Sequence, residues 1–285
     1  MKFAGKFYIV ASVILLMAVL AFPIAGHFIQ NTEVDPAYAE EITQEAEVST
    51  TGKICWGLKR GSNGNPPEAG SKATALLREH NGLYIGDTQE KKIYLTFDEG
   101  YENGYTAQLL DTLREKNVKA IFFITGDFFE ANGDLVRRMV EEGHEVGNHT
   151  MNHPSLPDVS RADAESEILE LSRQFTDKYG KEMRFLRPPK GEYDEKTLQL
   201  TEDLSMRCLL WSFAYQDWLV NKQQGPDYAL KMVTDNLHNG AVLLLHAVSS
   251  DNAQAMGSII DTCRAMGYEF GTPDDLYQVS SRGQS

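Results

Sequence analysis

From Lys91 to Thr272 the chain alternates short apolar runs with segments of helical spacing, and this alternation restricts the fold of its 285 residues more than any other feature. The runs are IYLTF (93–97), AIFFIT (120–125), HEVGNH (144–149), RFLRPP (184–189), RCLLWSF (207–213), AVLLLH (241–246) and YEFGT (268–272). Several are aromatic or β-branched and almost continuously apolar, as strands covered on both faces are. Between them, Leu109, Leu110 and Leu113 precede Asn117, and Leu135, Met139 and Val140 precede Gly143. Ser160 is placed to cap a helix bearing Ile168, Leu171 and Phe175 and closed by Gly180, and Asp194 to cap the next. Pro226 opens a helix expected to end at Gly240, and Ile259, Ile260 and Cys263 lie on one ending before Gly267. A Gly or Asn closing each helix just ahead of a strand is the grammar of αβ loops. The class is therefore α/β, with a parallel sheet and helices outside. About seven strands favour a barrel, not necessarily complete, over an open sheet. No Gly-rich fingerprint follows the first strand, so a dinucleotide domain is not expected.

Before that core, Lys2 and Lys6 precede FYIVASVILLMAVLAF (7–22), a basic then apolar order that marks export. Residues 1–29 read as a signal peptide or an N-terminal membrane anchor, and both fit, with the rest of the chain outside the cytoplasm. Residues 30–70 read as linker and N-terminal extension, ending in the loop GSNGNPPEAG (61–70), with Trp56 expected to pack onto a catalytic domain at 71–285. The charge balance, 27 − 41 = −14, argues against nucleic acid as a partner. Cys55, Cys208 and Cys263 are too few and too scattered for a disulfide scaffold or a zinc–thiolate site. Any metal must be held by His and carboxylate.

Parallel barrels place their chemistry at the C-terminal ends of the strands. Here those ends carry Asp98 and Glu99, His149 and His153, Arg187, Asp217 and His246. Adjacent carboxylates at a strand exit repel unless a cation lies between them or one takes a proton, although Asp-Glu-Gly is also a common solvated turn. His149 and His153 are four residues apart, so a helical turn would put both imidazoles on one face for a shared metal; unrelated loop histidines are the plainer alternative. Arg187 in RPPKG (187–191) is held rigidly and suited to keeping a carboxylate ionised, where an ordinary surface ion pair is the alternative. Asp217 and His246 are weak signals singly, and their co-occurrence with the others gives them meaning.

Together these residues resemble the polysaccharide deacetylase family, the NodB-homology carbohydrate esterases. TFDEG (96–100), HTMNH (149–153), RPPKG (187–191), QDW (216–218) and LLLH (243–246) resemble its motifs, in their order, over roughly residues 85 to 280. The family fold is a distorted, incomplete (β/α) barrel. TFDEGYENGYT (96–106), GNHTMNHP (147–154), RPPKGEY (187–193) and WGLKR (56–60) are similar to one subgroup, the delta-lactam-biosynthetic de-N-acetylases. These act on N-acetylmuramic acid in the peptidoglycan of spore formers, on the way to the muramic delta-lactam of spore cortex.

The resemblance implies a metal-dependent hydrolase acting on peptidoglycan glycan strands. His149 and His153, with Glu99, would hold a divalent ion: zinc first, with cobalt, magnesium or manganese as alternatives. Glu99 stands where the family has Asp, one methylene shorter. Asp98 would be the general base, paired with Arg187, and His246 the general acid, oriented by Asp217. The Lys190 N–H would share the oxyanion, Thr150 would hold the acetate, and Trp218 and Tyr101 would wall the sugar. Lys190, where the family often has an aromatic, would suit an anionic, lactyl-bearing sugar. Alternatives are a deacetylase of N-acetylglucosamine units in peptidoglycan or chitin-like glycans and, more remotely, an inactive wall-binding module. The sequence leaves oligomeric state open.

Overall fold

The computed structural model describes residues 44–280. In chain order come β1 (Glu47–Val48), β2 (Ile54–Cys55), α1 (Ser71–Glu79), β3 (Lys92–Glu99), α2 (Thr106–Glu115), β4 (Ala120–Ile124), α3 (Gly126–Ala131), α4 (Gly133–Glu141) and β5 (Glu145–Asn148). Then follow α5 (Arg161–Tyr179), β6 (Phe185–Leu186), β7 (Glu192–Tyr193), α6 (Glu195–Asp203), β8 (Arg207–Cys208), α7 (Pro226–Thr234), β9 (Ala241–His246), α8 (Ser250–Ala265), β10 (Glu269–Phe270) and α9 (Pro273–Gln278).

The main sheet has 7 strands in the order β10-β3-β4-β5-β6-β8, with β9 also paired to β3. Its ladders are all parallel. It curls into a half-barrel whose last gap is spanned by single bridges, Leu83 to Leu209 and Phe213 to Leu243, rather than by a ladder. This is the incomplete barrel expected. The run at 207–213 departs from a full strand because, past Cys208, it crosses the gap and pairs residue by residue with different neighbours.

The two-residue side-chain period of β3 divides its burial. Ile93, Leu95 and Phe97 join the core under the helices, with Phe97 stacked on Phe122 of β4 at 5.1 Å. Tyr94 belongs to the separate interior cluster with Phe123, Phe185 and Val242. On β9, Ala241, Leu243 and Leu245 likewise face the helices. Both faces are covered, which is why the runs are apolar throughout.

Ser160 caps α5 through the Asp163 N–H, and Gly180 closes it with a left-handed backbone; Asp194 caps α6 through the Thr197 N–H. One helix is shorter than its pattern. The segment opened by Pro226 stops at Thr234, not Gly240, because His238 drops inward to bond the Ser212 hydroxyl at 2.8 Å and the Asn236 carbonyl at 3.0 Å. That tertiary anchor outweighs helix continuation.

The described part of the N-terminal extension is built into the domain. β2 pairs antiparallel with β1 and with β7. Ile54, Trp56, Leu58 and Ala69 share a core cluster with Leu77, Tyr193 and Leu198. Cys55, Cys208 and Cys263 are all free thiols. The expected leader at 1–29 lies outside the described residues. No helix among the described residues is long and apolar enough to cross a membrane.

Candidate active site

Strand register assembles the site. The β3–β9 ladder sets Asp98 beside His246, on the same alternation that sends Tyr94 and Val242 inward. The β5–β6 ladder pairs Asn148 with Leu186, so His149 and Arg187 leave their strands side by side, the Arg187 N–H bonded to the Asn148 carbonyl at 3.0 Å.

Arg187 is 0% exposed yet satisfied. It donates to Asp98 Oδ1 at 2.7 Å, to Thr96 Oγ1 at 2.8 Å, and to the Leu209 and Leu210 carbonyls at 3.0 and 3.2 Å, with its plane 4.1 Å from the Phe123 ring centre. Burial pushes the Asp98 carboxyl upward, but the Arg187 charge, helped by His149 and His246, holds it below the usual carboxylate range. Asp98 is therefore ionised at neutral pH, with one oxygen spoken for.

His149 gives its Nδ1 to the Arg187 carbonyl at 2.8 Å. A carbonyl only accepts, so Nδ1 carries the proton and Nε2 is left as a lone pair. Burial lowers the pKa of His149 to about 4, which keeps the ring neutral. Nε2 lies 3.5 Å from Asp98 Oδ2, so two acceptors face one another across a space that calls for a donor such as a water. The His153 ring is 4.8 Å from that of His149.

The expected helical turn is not what joins these histidines. Thr150 (φ 68°) and His153 (φ 57°) are left-handed, a costly conformation for a β-branched residue, and the chain folds back on itself instead. Asn148 Oδ1 accepts the Thr150 N–H at 2.8 Å, while Glu167 of α5 takes the Asn152 backbone and side-chain N–H groups, both at 2.7 Å. Neither Asn148 nor Glu167 was legible as a site residue. Their only signal was the need to hold a strained turn.

His246 donates from Nδ1 to Asp217 Oδ1 at 2.7 Å, and its backbone N–H to Asp217 Oδ2 at 2.8 Å. Burial acts to lower its pKa, but the Asp217 carboxylate outweighs that and raises it above the ordinary histidine value. An ionised base and an imidazole disposed to hold its proton thus stand on adjacent strands.

They open onto a cavity of about 450 Å³, lined also by His149, His153, Lys190, Leu244, Trp211 and Trp218, and by Trp56, Gly57 and Leu58 of the extension. Trp218 is 40% exposed and 5.4 Å from the His246 ring. Lys190 holds a left-handed backbone (φ 60°) in the tight turn at Pro189–Gly191. Trp56, expected only to pack onto the domain, and Trp211, in the run at 207–213, also wall the cavity, a role the sequence pattern did not give.

Three expectations are corrected. Glu99 is not turned toward the histidines: the strand period sends it to the helix side with Phe97, where it is 0% exposed and neither oxygen has a hydrogen-bond partner. Burial, then the charges of Glu102 and Asp98, push its carboxyl well above the usual range. Thr150 is 0% exposed and its hydroxyl accepts the His153 N–H at 3.0 Å, so it holds the turn rather than facing the cavity. Tyr101 is 53% exposed and does not line the cavity.

These positions decide the fit of a metal. With Glu99 on the far face, the expected set of His149, His153 and Glu99 does not form. Among the described residues, no group of three or more His, Cys, Asp or Glu side chains is arranged to hold an ion. Two imidazoles remain beside a carboxylate already committed to Arg187.

A family model described as polysaccharide deacetylase matches residues 85–209. The chain is also 40% identical over 233 residues to the peptidoglycan-N-acetylmuramic acid deacetylase PdaA of Bacillus subtilis, covering 81% of this chain and 89% of that one. The chain belongs to the polysaccharide deacetylase family. The solved structure of Bacillus subtilis PdaA, a family 4 carbohydrate esterase, matches with a TM-score of 0.77 over 80% of this chain and 98% of the other. A family 4 carbohydrate esterase from Bacillus anthracis matches at 39% identity and a TM-score of 0.68, covering 81% of this chain and 98% of that one. A Bacillus cereus peptidoglycan-N-acetylglucosamine deacetylase is 34% identical over 192 residues, 66% of this chain and 88% of that one. The protein is an enzyme of this family, a polysaccharide deacetylase. Enzymes of the family are in general metal-dependent, and the departure at Glu99 is measured against that background.

Proposed function

We propose that this deacetylase removes the N-acetyl group from N-acetylmuramic acid in peptidoglycan, a step toward muramic delta-lactam in spore cortex, and that residues 1–29 carry it to the wall side of the membrane. The observation that carries the chemistry is Asp98 and His246 in register on adjacent strands, each poised by its own partner, opening on one cavity. The kinship to PdaA supports the muramic substrate, as does a cation, Lys190, in the cavity wall where a lactyl carboxylate would seek one.

Asp98 Oδ2, the oxygen that Arg187 leaves free, takes a proton from a water held between it and the bare Nε2 of His149. The water oxygen attacks the acetyl carbon. The Lys190 N–H, turned by its left-handed backbone, shares the charge on the former carbonyl oxygen. His246 hands its Nε2 proton to the nitrogen as the C–N bond breaks, and Asp217 stabilises the imidazolium until then. Trp56, Trp211 and Trp218 keep the site apolar around the methyl and the sugar. No step is assigned to a metal, since the third ligand does not form.

Mass spectrometry of muramidase-digested glycan strands, with and without attached peptides, tests the substrate. Deacetylated muramic units are expected. Loss of acetate from glucosamine units alone transfers the reading to the activity of the Bacillus cereus relative. Acetate from neither sugar restores the wall-binding alternative.

A further inference from the structure

Asp217 has a third donor, and it comes from outside every motif read in the sequence. Asn252 Nδ2 reaches Asp217 Oδ2 at 2.5 Å and the His246 carbonyl at 3.3 Å, while Asn252 Oδ1 accepts the Tyr215 hydroxyl at 2.5 Å. All three side chains are buried. The amide can lie only one way round: flipped, its oxygen would face two acceptors, the Asp217 carboxylate and the His246 carbonyl. The backbone of α8 fixes its place, since Ser249 caps the helix by accepting the Asn252 N–H at 3.1 Å. The path from Tyr215 to His246 is thus continuous, and each group on it has its partners.

We propose that Tyr215 and Asn252 are positioning residues of this enzyme, a hydrogen-bonded relay that orients Asp217 and, through it, the general acid His246. The inference rests on the deacetylase reading above and adds to it two buried residues that do not line the cavity. The relay shares out the Asp217 charge. With Asn252 donating, less of that charge is spent on the imidazolium, so the acid gives up its proton more readily. The other charged or titratable groups acting around His246 are Asp98 on β3, Arg187 after β6 and His153 after β5; Asp251 and Tyr228 act on Tyr215.

The test is steady-state acetate release from glycan strands by the full chain, for Asn252→Leu, Tyr215→Phe, Asp217→Asn and the doubles. Asn252→Leu should lower kcat about tenfold, a mid-range coupling for residues of one network, with KM unchanged. Its alkaline limb should move to higher pH, as His246 is gripped harder. Tyr215→Phe, which removes one hydroxyl and keeps the packing, should do the same to a smaller degree. In the Asp217→Asn background neither change should cost anything further. Additive losses in that background, a change in KM alone, or an unmoved kcat would overturn the relay while leaving the activity standing. A wild-type chain that releases no acetate would instead sink the activity itself.

Discussion

Two carboxylates stand side by side on β3, and the strand period sends them into different surroundings. Asp98 meets Arg187 and is held ionised; Glu99 meets apolar core and Glu102, whose Oε2 is also buried without a partner. A group whose folded pKa is raised adds stability below its unfolded pKa and loses it as pH climbs toward the folded value. Glu99 therefore costs stability at neutral pH. Glu99→Gln, whose amide can donate to Glu102, should raise stability at pH 7 by about 1–3 kcal/mol, the gain vanishing below about pH 4.5, and acetate release should persist; thermal melts across pH check it. The His246 pKa is raised as well, but by a neighbouring charge rather than by burial. Its raised pKa comes mainly from Asp217, so Asp217→Asn should lower it. The alkaline limb of kcat should then move to lower pH. The residue types at the strand ends were legible in the sequence, including the pairs Asp98–Arg187 and Asp217–His246. The fate of Glu99 was legible too, had the alternation through Tyr94, Thr96 and Asp98 been applied to the next residue. What no local pattern gave was Asn252, because its role exists only once α8 lies against β9.

At the scale of elements, the site depends on a segment that looked peripheral. Trp56 donates its backbone N–H to the Gly191 carbonyl at 3.0 Å and its indole N–H to the Trp211 carbonyl at 3.1 Å. Lys53 ties the same segment to Asp158 and Glu192, each at 2.8 Å, which flank the two catalytic turns. Gly191 admits this approach because it has no Cβ; one added there would lie 2.8 Å from Trp211 and 2.9 Å from the Trp56 Cβ, on a backbone of φ +67°. Trp56→Ala should cost about 3–5 kcal/mol in urea unfolding, the range for emptying a buried aromatic site, and should raise KM by loosening the Lys190 turn. The capped helices were readable because caps are local. The end of α7 and the turn between His149 and His153 were not, because in each a distant partner, Ser212 or Glu167, overrides the local period.

At the scale of the molecule, one interior serves both stability and chemistry. The half-barrel puts Arg187 at its centre among Phe123, Trp211 and the β3 carboxylate, so the group that holds the base ionised is also a buried ion that must stay paired. The extension completes the cluster around Tyr193 and Leu77. A chain beginning at residue 71 should accordingly unfold at lower urea and bind glycan poorly, whereas a merely appended linker would leave both unchanged. The alternation of runs made the barrel foreseeable, and closure by single bridges is what the short run at 207–213 became once it had to cross the gap. The most direct test of the whole account is acetate release by the purified chain compared with Asp98→Asn, a substitution that keeps the shape and the Arg187 contact but removes the base. A bell-shaped rate in pH is expected for the wild type and a fall of about 100- to 10,000-fold for the variant, the range of general-base catalysis, with the fold retained by circular dichroism but a lowered melting temperature, since Arg187 loses its counter-charge. A variant that releases acetate at the wild-type rate would contradict it.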